Sequence, residues 1–127
     1  MLEYFRSGRP YKEPDEKLLK SWVTGWAMPD LSTGDEYSQW AKVCGFEDIR
    51  LDDIEDYVRP SHRHLYRVTM TVYWGESLLH RLRLRSDAQH ANTRGARDQW
   101  RALQRSLWFE GILSARKPDV QAGALSA

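Results

Sequence analysis

The chain has 127 residues, 41% hydrophobic and 29% charged, with a formal net charge of +1. That length allows one domain with its own core, and the balanced charge excludes a generally basic nucleic-acid binder. One cysteine excludes an intrachain disulfide and no apolar run reaches membrane-span length, so the expected setting is the cytoplasm.

Residues 1–14 begin apolar and become loop-like through Gly8, Pro10 and Pro14. Leu18, Leu19, Trp22, Val23 and Trp26 then recur at helical spacing, with Asp15 and Glu16 near the positive amino end. Gly25 and Pro29 bracket the end of that helix. Ser32 or Thr33 is expected to cap a second helix, with Tyr37, Trp40, Ala41 and Cys44 on one buried stripe. Gly45 closes it, and a short strand over 46–51 follows, with Ile49 and Leu51 on one face.

Pro60 suits the first turn of a third helix carrying Leu65, Val68, Thr69 and Val72 on one side. Gly75 is expected to break or kink it before a second piece over 76–84. Asp87 then caps a last helix that turns Trp100, Leu103 and Leu107 inward. Residues 107–115 are apolar on both faces apart from Glu110, which marks a strand in the interior of a sheet, and Pro118 stops the run. Such a strand needs a neighbour on each side. The remaining strand-like stretches scarcely supply them, so the expectation is part of a larger fold. Residues 119–127 read as a disordered tail.

Acids dominate from Asp30 to Asp56 and arginines from Arg59 to Arg105. The pattern predicts solvated faces and ion pairs between the two segments, with an anion-binding surface as the sharper alternative. His62 and His64 diverge on a helix and lack an obvious third ligand, so no metal site is expected. His62, His64 and Tyr66 are conceivable general bases, and nothing in the sequence selects among them.

Four stretches, KLLKSWVTGWAMPDLST (17–33), EYSQWAKVCGFEDIRLDDI (36–54), VRPS (58–61) and QWRALQRSLWFEGILSARKP (99–118), carry a resemblance in their order and spacing. Together the chain resembles the carboxyl-terminal half of class I S-adenosylmethionine-dependent methyltransferases, of the tocopherol-methyltransferase-like and natural-product kind. The resemblance implies an α/β, partial Rossmann-like methyltransferase fold, with a last strand pair (about 46–51 and 107–115) plus helices. Residues 1–118 would form the carboxyl-terminal portion of the domain, with 59–106 as a helical lid inserted between those strands. Glu3, Tyr4 and Phe5 would correspond to the tail of the fifth strand.

S-adenosylmethionine is implied by the resemblance only. The eight glycines are scattered singly and no Gly-x-Gly occurs, so no cofactor-binding residue is carried over. The chain alone is therefore expected to be inactive and to contribute the acceptor side. Its candidate substrate-binding residues are Trp22, Trp26, Met28, Tyr66, Met70, Tyr73 and Trp74, suited to an apolar or aromatic small-molecule acceptor. Their bland reading is ordinary core, above all for Trp22. The implied partners are an amino-terminal methyltransferase half or a second copy of the chain, with no membrane and no nucleic acid. The alternative is a non-enzymatic α+β module that dimerises or docks on an intact methyltransferase.

Overall fold

The computed structural model describes residues 1–83 and 87–118. In chain order these form β1 (Leu2–Arg6), α1 (Glu13–Gly25), α2 (Gly34–Val43), β2 (Glu47–Asp53), α3 (Glu55–Arg81), α4 (Asp87–Gln104) and β3 (Trp108–Arg116). The strands make one sheet in the order β1-β3-β2, antiparallel at both junctions. Tyr4 lies opposite Glu110, and Asp52 opposite Ile112. The doubly apolar segment is therefore the interior strand, as its composition requires.

Both neighbours of β3 come from this chain, which corrects the expectation that they are scarcely supplied. Leu2–Arg6 is a full strand along β3, and the Met1 amino group extends the pairing by donating to the Leu113 carbonyl at 2.7 Å. Five residues ending in arginine give too short an alternation to be distinguished from a loop entry by pattern alone.

Strand alternation sends aromatics to both faces. On one face Trp108 lies 4.5 Å from Trp22 of α1 and 5.2 Å from Tyr4, ring centre to ring centre. On the other, Phe5 stacks on Phe109 at 5.4 Å and meets Tyr37 of α2 edge-on. Gly111 leaves room for that stack, because a Cβ there would lie 3.1 Å from both phenyl rings.

Helix α1 opens with a proline in its first turn, where the missing N–H costs nothing. Its far end crosses α4 at Gly25 and Gly95. A Cβ on Gly25 would lie 2.7 Å from the Ala91 carbonyl oxygen, so only glycine allows this approach. Thr33 caps α2 through a reciprocal box, its hydroxyl accepting from the Glu36 N–H while the Glu36 carboxylate accepts from the Thr33 N–H.

Three local expectations are corrected. Helix α3 starts at Glu55, five residues before Pro60, because the Asp53 carboxylate accepts the Glu55 N–H at 2.8 Å and acids fill the first turn. It also runs unbroken through Gly75, since packing against α4 outweighs the roughly 1 kcal/mol propensity cost of one glycine. Cys44 is exposed at the carboxyl end of α2, not buried, because that helix covers the sheet only with its amino half. The strands themselves run 47–53 and 108–116, each shifted by one or two residues toward the carboxyl end of its expected range. Residues 84 and 119–127 lie outside the described residues.

Of the pairs expected between the acidic and basic segments, Arg59–Glu55 forms within α3. Asp30, Glu36, Glu47 and Asp48 are met from elsewhere. Arg6 and Arg9 hold Asp30 at 3.3 and 3.2 Å, and Arg116 holds Glu47 and Asp48 at 2.9 and 2.7 Å.

Candidate functional site

Helices α1, α3 and α4 roof one face of the sheet, and the acceptor-side candidates divide among three places on that roof. Trp22 is fully buried between Tyr4 and Trp108 and belongs to the core. Trp26, half-buried beyond the Gly25–Gly95 crossing, lines a cleft of ≈ 410 Å³ with Leu65, Thr69, Asn92, Thr93 and Ala96. Met28 lies on the opposite flank of α1, in a separate cleft of ≈ 470 Å³ bordered by Leu19, Val23, Thr24 and Asp30. Tyr66 stacks on Trp100 of α4 at 6.0 Å. Tyr73 is half-buried and takes a hydrogen bond from Arg97 at 3.3 Å, with that guanidinium 5.5 Å from its ring centre. Met70 is half-buried and Trp74 is 78% exposed. None of these clefts collects all seven; the Trp26 cleft opens between α1, α3 and α4.

Beneath the roof, His62 of α3 meets Glu110 of β3, Nε2 to Oε2 at 3.0 Å, with both side chains about nine-tenths buried. Trp108 stands edge-on to the imidazole at 5.2 Å, and its indole N–H donates to the Gln99 carbonyl at 3.0 Å. Burial, and then the charge of Glu110, push the Tyr4 phenol above its ordinary value. A histidine held by a carboxylate is the arrangement of an acid–base relay. Here aromatic rings enclose it and none of the clefts described above reaches it, so it serves as a polar tie between α3 and the sheet. The sequence did carry a signal for it: Glu110 is the one charged residue in an otherwise apolar strand. His64 is exposed, and Tyr66 is committed to its stack on Trp100.

A third cleft, of ≈ 470 Å³, lies at the carboxyl end of β1 against the amino end of α2, between Arg6, Arg9, Thr33, Glu36 and Phe109. The carboxyl ends of strands are where open α/β sheets receive ligands. Its cations are already answered, Arg6 by Glu16 and Asp30, and Arg9 by Asp30 and Glu36. Among the described residues no three His, Cys, Asp or Glu side chains are grouped to hold a metal. None of the three strands leads through a glycine-rich turn into a helix: Ser7–Lys12 follows β1, Asp53 passes straight into α3, and β3 ends the described chain. The described residues therefore do not fit an adenosyl donor.

No protein-family model and no curated protein matches the chain. Among solved structures it is similar to phospholethanolamine N-methyltransferase 2 of Haemonchus contortus, solved with phosphomonomethylethanolamine and S-adenosylhomocysteine. The likeness has a TM-score of 0.56 at 15% identity, over 92% of this chain and 25% of that one. The chain has a mixed α/β fold resembling part of a methyltransferase fold. The chain spans about a quarter of that enzyme's length, and the likeness is one of architecture. No described helix is long and apolar enough to cross a membrane.

Proposed function

We propose that this chain is the acceptor-side, carboxyl-terminal segment of an S-adenosylmethionine-dependent small-molecule methyltransferase, and that the 127-residue polypeptide alone does not turn over. The observation that carries this reading is the fold likeness to a methyltransferase over nearly the whole chain. The resemblance to tocopherol-methyltransferase-like enzymes points the same way, as does the absence of a glycine-rich turn after any of the three strands. Methyl transfer rests largely on holding donor and acceptor in line, so a segment devoted to acceptor placement is a sensible division of labour. Trp26, in its cleft between the helices, is the residue assigned to an apolar or aromatic acceptor, with Leu65 and Thr69 of α3 and Ala96 of α4 lining the same cleft.

The donor half would join along β1. In an antiparallel ladder alternate residues turn their backbone groups away from the partner strand. With Met1 and Leu113 exchanging hydrogen bonds, Leu2 and Tyr4 point theirs to the outer edge. That edge offers pairing to a further strand.

Two titrations test the reading. Calorimetry with S-adenosylmethionine is expected to give no binding heat, and a prenylated hydroquinone is expected to quench tryptophan fluorescence saturably, less so in Trp26→Phe. Saturable donor binding or methyl turnover by this polypeptide alone would refute the acceptor-side assignment.

A further inference from the structure

Helix α3 carries two apolar faces. One packs on α4 and the sheet through His62, Tyr66, Thr69 and Tyr73. The other looks into solvent, and its residues recur at alternating steps of three and four, from Val58 through Ser61, Leu65, Val68, Val72, Gly75 and Leu79 to Leu82. That 3.5-residue spacing is the signature of a seam between two helices lying nearly along one another. Leu65, Val68, Val72, Leu79 and Leu82 are 37–58% exposed there, and nothing lies within 4 Å of a Cβ built on Gly75.

We propose that α3 pairs with α3 of a second copy of this chain, antiparallel, about a twofold axis passing between Val68 and Val72. Two features single out a second copy as the occupant. The first is volume. Under this symmetry Val68 meets Val72, Leu65 meets Gly75, and Leu79 meets Ser61, so the leucines of the inner layers face small residues. Val58 and Leu82 close the seam at its ends. Parallel pairing would set Gly75 against Gly75 and Leu65 against Leu65, leaving a void in one layer and crowding in another.

The second feature is charge. The first turn of α3 holds Glu55 and Asp56, with Asp53 just before it and Arg59, paired with Glu55, one turn on; Arg81 ends the helix and Arg83 follows it. Antiparallel pairing opposes the two helix dipoles and brings the acidic first turn, with Arg59 beside it, to the other copy's carboxyl end. Parallel pairing would put like charges together at both ends. This interface is separate from the methyl-transfer reading except at Leu65, which also lines the Trp26 cleft.

Light scattering and position-specific crosslinking test it together. The chain is expected to show twice its monomer mass at high concentration. Val68→Glu with Val72→Glu is expected to halve that mass while leaving the far-ultraviolet circular dichroism unchanged, because both side chains are half in water in the single chain. In a Cys44→Ser background, mixing Val68→Cys chains with Val72→Cys chains is expected to give mixed 68–72 disulfides faster than 68–68 or 72–72. A strict monomer, a dimer that survives the double glutamate variant, or preferential 68–68 crosslinking would each overturn the proposal.

Discussion

Helices α3 and α4 are successive arms of one excursion between β2 and β3, and they end in opposite situations. Helix α4 buries its apolar stripe twice over, with Trp100 and Leu103 in the core and Gly95 against α1. Helix α3 buries one stripe against α4 and leaves a second, equally regular one in water. The difference teaches that an apolar repeat in this sequence states a need for a partner without stating whether the partner lies in the same chain. For α4 the partner is internal and approaches too closely to admit a Cβ at Gly25 or Gly95; for α3 the proposed partner is a second copy of the chain.

Matched substitutions in the two helices sharpen that contrast. The largest effect is expected from Leu103→Ala on α4, where a fully buried side chain is removed, at a cost of about 2–5 kcal/mol in chemical denaturation. Leu79→Ala on α3, measured in dilute solution where the chain is single, should change stability by no more than about 0.5 kcal/mol. Equal losses at the two sites would break the comparison.

The glycines give the next effect, with opposite signs. A Cβ at Gly95 would fall 2.2 Å from Trp26 Cδ1, so Gly95→Ala is expected to cost about 1–3 kcal/mol. Gly75→Ala meets no neighbour and lies mid-helix, so the single chain should gain about 0.5–1 kcal/mol. The same substitution fills the space that Leu65 of the second copy requires, and should weaken self-association. A thermal melt and a dilution series on this one variant separate the two effects.

The smallest effect lies at alkaline pH. Burial first, then Glu110 and Glu3, hold the Tyr4 phenol above 10.0. The folded chain thus keeps this proton where the unfolded chain has released it. Its stabilising contribution is whole below pH 10.0 and is lost as the pH rises through the higher folded value. Tyr4→Phe is expected to flatten that part of the stability profile; an unchanged slope would assign the decline elsewhere, for instance to Tyr37, which burial and Glu3 also raise.

What the sequence made legible follows from how local each signal is. The Thr33 cap, the Leu19–Trp22–Val23 stripe of α1 and the doubly apolar β3 are set by short-range pattern, and the folded chain has them where the pattern put them. The start of α3 was misread because Pro60 is a strong local marker, while the Asp53 cap that starts the helix doubles as the end of a strand. Gly95 has no local signature, since its role appears only when α1 crosses α4. Glu110 stood out as a charge in an apolar strand, but its partner His62 lies 48 residues away and no spacing rule connects them. Among the acceptor-side candidates, the helical stripe favoured the core for Trp22, which is fully buried, while Trp26 one turn later, beside the loop, lines a cleft.

The fold, the acceptor-side reading and the placement of α3 all depend on β3 lying between β1 and β2. Native-state amide exchange followed residue by residue tests this most directly. Interior position predicts slow exchange for consecutive amides from Phe109 to Leu113, which bond alternately to β1 and β2, with fast exchange at Leu2 and Tyr4 on the open edge. Alternating protection along β3, with every second amide fast, would show a strand paired on one side only and would contradict the β1-β3-β2 order.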